Sequence, residues 1–328
     1  MSGLYRKKLL ILGKIPPPIG GVTVHVQRLL YSLDKRIDYE FKVLNIKTLM
    51  KLFFIANNYK IIHIHSSNPW VRLYVVIVCK LFNIKSINTI HGDLVRFRSN
   101  VKNRVDIAAI RLSDKPILLN KGSYEVAKLI NNNSEIISAF IPPTIMDNNF
   151  MTSDIIKSIQ TLKSSSEYVF CTNATNLSYD KKNKEIYGIF ELIEVFKSFP
   201  SYGLVFSDPS GIYSQTFHEN SFNVSSNVLI INKKHSFYTV MKFCDASIRN
   251  TTTDGDSLSV KESLYLNLYT FTTDVVSRPK GCILYKKGEF ADLLKQEIPR
   301  IMKNPIPQNH VVNGAERLVD LYKELMEF

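Results

Sequence analysis

Apolar residues follow two rhythms that alternate along this chain. Compact runs at Lys8–Gly13 (KLLILG), 41–44, Tyr59–His65 (YKIIHIH), 86–90 and 117–120 have the length of buried strands. Between them, 22–33, 47–57, 73–82 and 123–130 place apolar residues at helical spacing; Val22, Val26, Leu29, Leu30 and Leu33 are the clearest case. A Pro-rich break at Ile141-Pro142-Pro143-Thr144 opens a Ser- and Lys-containing stretch to about Ser166, and then the same grammar restarts. Strands are expected at 168–171, 204–207, Val228–Ile231, 246–248, 269–272 and 282–285, with helices at 186–199, 237–244 and 315–326. Alternating strand and helix predicts an α/β chain of two Rossmann-like domains, each with a parallel sheet. We place them at 1–150 and 151–310, facing a central cleft, with 311–328 a terminal helix that returns to the first domain.

Composition narrows the class without naming a chemistry. With 328 residues, 45% of them hydrophobic, the chain has ample material for two cores. Cys79, Cys171, Cys244 and Cys282 are widely spaced with no CxxC pair, so neither a zinc site nor a disulfide scaffold is indicated. The apolar run after the basic start is only LLIL, and 74–79 is far too short to span a bilayer, so a cytoplasmic protein is expected. The net charge of +13 is unevenly placed: residues 1–150 hold 22 Lys/Arg against 9 Asp/Glu, and residues 151–328 hold 20 of each. That asymmetry suggests a polyanionic partner for the first half. Within it, 94–111 carries Arg96, Arg98, Lys102, Arg104 and Arg111 among apolar residues. It reads either as a segment resting on an anionic membrane or as a solvated helix face. No nucleic-acid-binding signature accompanies the charge.

Four stretches stand where α/β proteins bind ligands. Gly20 and Gly21 lie between the first strand and its helix, where small residues let backbone approach a ligand. His91, in His91-Gly92-Asp93, follows a strand; His25 reads better as a packing residue, and His63 and His65 are equally consistent with strand packing and are left unassigned. In the second half a loop carries Lys181, Lys182 and Lys184. The fourth is 249–274, RNTTTDGDSLSVKESLYLNLYTFTTD, a strand end, polar loop and helix. Amides near Ser257 and Leu258 would face an anion in front of that helix, with Asp254 and Glu262 beside it. The same residues also fit a plain helix start, with Ser259-x-x-Glu262 as a capping box and Asp256 or Ser257 as cap.

GKIPPPIGGVTVHVQRL, NTIHGD, IPP and TDGDSLSVKESLYLN together resemble the GT-B glycosyltransferases of family 4, the retaining, surface-polysaccharide type. The resemblance spans most of the chain. Its E-x7-E motif corresponds to Asp254 and Glu262, and implies that Glu262 holds the donor ribose while Asp254 holds sugar hydroxyls. Gly20 and Gly21 match the loop at the diphosphate, and His91 a histidine near the transferred sugar. The family's Arg…Lys-Gly diphosphate clamp is not cleanly present: Tyr187-Gly188 stands at Lys-Gly and Lys182 near the Arg. Lys181, Lys182 or Lys184 would stand in, helped by Arg249. The activity implied is sugar transfer from a nucleotide-diphosphate sugar, UDP-sugar foremost, without cofactor or metal. The acceptor implied is a glycan or polyprenyl-diphosphate-linked hydroxyl, reached by the basic half at the inner face of the membrane. Rival readings are a nucleotide-sugar epimerase of the same fold, an inactive partner subunit, and a metal-binding DxD triplet at Asp254-Gly255-Asp256.

Overall fold

The computed structural model describes residues 8–17, 20–95, 97, 99–144, 151–180, 182–254, 257–307 and 311–327. The chain divides into two units, Met1–Pro142 with Val312–Phe328 and Pro143–Val311. The division falls between the two prolines of Ile141-Pro142-Pro143, neither of which can donate a backbone hydrogen bond to extend an element.

The first unit runs β1 (Lys8–Gly13), α1 (Gly21–Leu33), β2 (Tyr39–Val43), α2 (Ile46–Ile55), β3 (Tyr59–His65), α3 (Pro69–Leu81), β4 (Lys85–Ile90), α4 (Asn100–Leu112), β5 (Lys115–Leu118), α5 (Lys121–Ile130) and β6 (Glu135–Ile136). Its sheet is parallel throughout, in the order β2-β1-β3-β4-β5-β6. Alternation along β1 sets the layers: Leu9 and Ile11 face one side, Leu10 and Leu12 the other. Leu10 and Leu12 meet Leu52 of α2 and Val75, Val78 and Cys79 of α3. The opposite face packs on Leu29 and Leu33 of α1 and on Ala315, Leu318, Val319 and Tyr322, which belong to the last helix of the chain.

The second unit runs α6 (Ser153–Ser164), β7 (Tyr168–Asn173), α7 (Ile189–Lys197), β8 (Tyr202–Ser207), α8 (Ile212–Glu219), β9 (Val228–Ile231), α9 (Phe237–Met241), β10 (Ala246–Arg249), α10 (Leu258–Tyr265), β11 (Tyr269–Thr273), β12 (Ile283–Tyr285), α11 (Phe290–Gln296) and α12 (Ile298–Ile301). α13 (Gly314–Glu327) then completes the first unit. The second sheet is also parallel, in the order β12-β11-β10-β7-β8-β9. β7 and β10 are neighbours from which the chain winds in opposite directions, so their carboxyl ends form the switch point where such sheets bind ligands. In the first sheet the switch lies between β1 and β3.

α6 falls in the stretch read from sequence as a linker. Thr152 caps it, and Ile155, Ile159 and Leu162 recur at helical spacing and are buried against Val169, Cys171 and Val205. Its apolar stripe is narrow within a Ser- and Lys-rich surface, which hides the period from a compositional reading. α8 and α11 are likewise real helices outside the sequence expectation. They are short elements seated by Tyr213, Phe217 and Phe290 in the aromatic core around Phe170.

Candidate functional site

Each unit carries a cluster of polar groups at its switch point. In the second unit it is built on the end of β10. Arg249 Nε and Nη2 donate to Asp254 Oδ2 and Oδ1 at 3.0 and 2.9 Å, and Arg278 Nη1 donates to the same Oδ2 at 2.7 Å. Arg278 also binds Thr273 O (3.0 Å) and Thr251 Oγ1 (3.2 Å). All three charged side chains are largely buried. Burial alone would raise the Asp254 carboxyl pKa; Arg249 and Arg278 outweigh it and hold the group below the usual carboxylate range. Burial would lower the Arg249 pKa, and Asp254 reverses that too.

This geometry changes the part expected of Asp254. Its carboxylate is an anchor between two guanidinium groups rather than a group turned to sugar hydroxyls. One methylene shorter than Glu, it closes a two-point pair with a residue only five positions away. The same cations argue against Asp254 as a metal ligand, since they occupy both oxygens; Gly255 and Asp256 lie outside the described residues. Arg249 keeps Nη1 outside its pair with Asp254, and its guanidinium lies 5.1 Å from the Tyr187 ring centroid.

Glu262 is buried on α10, and the capping-box reading fails on register. The helix begins at Leu258 with Ser257 at its N-cap, so Glu262 is the fifth helical residue and Ser259 the second. Ser257 makes no side-chain cap; its hydroxyl lies 3.1 Å from Ser259 Oγ. Ser257 and Leu258 therefore open a helix whose first amides have no partner one turn earlier. α10 is seated by a hydroxyl chain, Ser247 Oγ donating to Ser263 Oγ at 2.6 Å and Ser263 Oγ to Thr270 Oγ1 at 2.8 Å. Those bonds leave the helix's amide end at the end of β10.

Lys182 and Lys184 are exposed on a loop closed by Asp180, which accepts from both of their amides at 2.8 and 2.9 Å. The loop returns to the site, where Thr252 N donates to Ile186 O at 2.8 Å. Lys181 lies outside the described residues. Gly188, next to Tyr187, is left-handed (φ 62°) and caps α7; a Cβ there would meet Asn250 O at 2.5 Å. Lys287 reaches the same corner and pairs with Glu191 on the first turn of α7.

In the first unit Gly20 caps α1, its amide donating to Thr23 Oγ1 at 3.0 Å. A Cβ on Gly21 would meet no described atom within 4 Å. Among the described residues no steric contact therefore requires glycine at this position. His91 follows β4 and shares a 3.0 Å hydrogen bond between its Nε2 and Nδ1 of His65, the last residue of β3. His25 of α1 donates from Nδ1 to Ala139 O (2.8 Å), and the rings of His25, His65 and His91 have centroids 5.2–5.4 Å apart. One nitrogen from each lies within 4.8 Å of the other two, a set that could also hold a cation. His63 is fixed between Tyr322 Oη (2.6 Å) and Thr89 Oγ1 (2.7 Å). The structure thus gathers His25, His65 and His91 at the ends of β3 and β4 beside the glycine loop, whereas from sequence His25 reads as a packing residue and His65 stays unassigned. A His pair on one strand, two residues apart and ending at the switch point, was the available signal.

Burial, with His25 nearby, pushes the His63 pKa down to about 3, and burial with three neighbouring histidines holds His65 well below its ordinary value. A neutral buried imidazole stabilises the fold fully above the unfolded pKa near 6.5, and that stability is lost as pH falls from there toward the folded value. Between pH 7 and pH 5, His63 alone is expected to remove about 2 kcal/mol. Denaturant titrations at the two pH values check it, since His63→Gln should flatten the dependence; an unchanged slope would mean that His63 does not carry it.

No protein-family model matches the chain, and no curated protein sequence matches it. Solved structures do match its fold. HepE of Anabaena, in complex with UDP-glucose, superposes with a TM-score of 0.68 at 14% identity over 98% of each chain. The fold is GT-B. Sucrose-phosphate synthase of Thermosynechococcus elongatus matches over 98% of this chain and 97% of its own at 15% identity, TM-score 0.64. UDP-GlcNAc 2-epimerase of Methanocaldococcus jannaschii matches over 97% and 99% at 13% identity, TM-score 0.60. At such identities the likeness is one of fold, and both chemistries occur on it.

Proposed function

We propose that the protein is a glycosyltransferase that moves a sugar from a nucleotide-diphosphate sugar to a hydroxyl of a glycan or polyprenyl-diphosphate-linked acceptor. The donor is a UDP-sugar, the anomeric configuration is retained, and the setting is surface-polysaccharide synthesis at the inner face of the membrane. The observation that carries this reading is the switch point of the second sheet. There a buried glutamate, the amide end of α10 and a buried arginine pair converge, on a fold whose relatives have been captured with UDP and UDP-glucose.

Each residue has a part in that chemistry. Glu262 accepts hydrogen bonds from the donor ribose. Ser257 and Leu258 turn amides to the diphosphate, and Arg249 with Lys182 or Lys184 supplies positive charge as the sugar–phosphate bond breaks. Asp254 holds Arg249 and Arg278 in place. Gly20 and Gly21 let the α1 amides come close to the reacting centre, and His91, oriented by His65, lies beside the sugar. The acceptor hydroxyl gives its proton to the departing phosphate as the new bond forms. Protein cations then do the work of a metal, so the reaction is metal-independent.

The test is calorimetric titration of UDP, GDP and their sugar conjugates in EDTA, with product analysis on the donor that binds. The expected result is EDTA-resistant binding of one nucleotide and transfer with retention. Binding only after Mn²⁺ is restored would assign the chemistry to a metal instead. The similarity to the 2-epimerase favours a second reading, and conversion of UDP-N-acetylglucosamine without acceptor would establish it. Absence of nucleotide binding altogether would leave a partner subunit. Gly21→Ala is a sharper probe of the first unit: stability within about 0.5 kcal/mol of the parent, because Cβ meets open space, but at least about tenfold lower kcat/KM for the donor. Unchanged kcat/KM would remove the glycine loop from the site.

A further inference from the structure

The basic segment 94–111 does not carry the exposed apolar surface of the first unit. α4 buries Val105, Ala109 and Ile110, and its exposed face is Lys102, Arg104 and Arg111 with Val101 and Leu112 (Arg96 and Arg98 lie outside the described residues). The largest group of exposed apolar side chains lies on α2 and α3, with Val126 and Leu129 of α5 exposed as well. α2, IKTLMKLFFI, is apolar on two faces, and only one has a partner in the fold: Leu49, Leu52 and Ile55 sit on the core with Leu10 and Leu12. On the other face Ile46 is 77%, Met50 70% and Phe54 84% exposed, at helical spacing i, i+4, i+8. α3 lies alongside, joined by Tyr74 Oη donating to Leu49 O (2.9 Å) and by Phe53 against Phe82 (5.0 Å). Its outer stripe is Trp70 (51%), Tyr74, Ile77 and Leu81 (67%), again one helical face.

Charge beside this patch is mainly positive. From Phe41 to Gly92 the sequence holds seven Lys and Arg and no Asp or Glu. Lys47 and Lys51 are exposed on α2 and, with Lys42, Asn45 and Thr48, line a cleft of about 430 Å³ along that helix; Lys42 also pairs with Glu40 at 2.6 Å. No helix among the described residues is long and apolar enough to cross a membrane. Apolar side chains with aromatic neighbours and flanking lysines are the pattern of a helix lying in the headgroup boundary of an anionic bilayer. An apolar protein partner would complement the patch but not the exposed lysines beside it.

We propose that the α2–α3 surface docks on an anionic membrane, with Ile46, Met50 and Phe54 entering the acyl boundary and Lys47 and Lys51 at lipid phosphates. This deepens the membrane side of the reading given above. Its test uses no sugar nucleotide, so the two can fail separately. The full chain is sedimented with vesicles of phosphatidylcholine alone and of phosphatidylcholine with phosphatidylglycerol. Binding is expected only to the mixed vesicles and should weaken with salt. Lys47→Ala with Lys51→Ala should lower partitioning roughly 25-fold, and Ile46→Ser with Met50→Ser and Phe54→Ser at least about tenfold. Lys102→Ala with Arg104→Ala and Arg111→Ala, on α4, should change it little. Circular dichroism of the α2 variants should match the parent, since all the altered side chains are exposed. Three results would overturn the proposal: no binding to the mixed vesicles, binding insensitive to the α2 variants, or binding carried by α4. A concentration-dependent dimer that the triple serine variant dissolves, without vesicle binding, would assign the surface to a second copy of this chain.

Discussion

Asp254→Asn is expected to destabilise the second unit by about 3–5 kcal/mol, because it leaves two buried guanidinium groups without their anion. Surface ion pairs contribute little, but Arg278 is almost wholly buried and Arg249 largely so, and water does not replace the lost carboxylate for either. Donor binding should weaken with it, since Arg249 loses the group that fixes its direction. Urea unfolding followed by a signal from the second unit measures the first effect and UDP titration the second. The double variant Asp254→Asn, Arg278→Met should regain part of the stability, since it removes one of the orphaned charges. Should the single variant be as stable as the parent, the anchor role fails. Should stability fall with donor binding and transfer unchanged, Arg249 does not act on the diphosphate.

Glu262→Ala is the second large effect. A buried carboxylate holding two ribose hydroxyls makes two charge-assisted hydrogen bonds, and its loss should weaken nucleoside diphosphate binding by roughly two to three orders of magnitude. Glu262→Gln keeps size and one acceptor and should fall between the two. A 2′-deoxy nucleotide should bind the parent weakly and bind Glu262→Ala no worse than the ribose form does, because the partner of the missing hydroxyl is already gone. Equal affinity of parent and Glu262→Gln, with equal discrimination of the deoxy nucleotide, would return Glu262 to a purely structural place on α10.

The two α/β units were legible in the sequence because strand runs and helical stripes differ in period, and both periods are strong at 8–33 and 59–90. The loop at Gly20 and Gly21 and the start of α10 were legible as structure for a related reason: a strand end followed within a few residues by a helix is a local pattern. What escaped was non-local. Arg278 meets Asp254 across 24 residues and from a different strand end, and no spacing rule connects them. The histidine cluster joins α1, β3 and β4, and only the register of β3 on β4 brings His65 to His91. The alternative of a Ser259–Glu262 capping box could not be dismissed from sequence, because it is a pattern of four letters, whereas the cap itself depends on which residue starts the helix. The exposed face of α2 was hidden by its composition. A helix apolar on two faces looks buried until the fold shows that only one of them is covered.

α13 gives the molecule an unusual order of assembly. The first unit is interrupted in sequence: Leu318, Val319 and Tyr322 fill the face of its sheet left by Leu9, Ile11 and Ile61, and Tyr322 closes the hydrogen bond to His63. During synthesis that core stays open until α13 has left the ribosome, while 143–311, a continuous stretch made before it, already holds everything its own core needs. The half made first therefore finishes last. For that whole interval an apolar sheet face stands uncovered, a window in which chaperones or aggregation compete for the nascent chain.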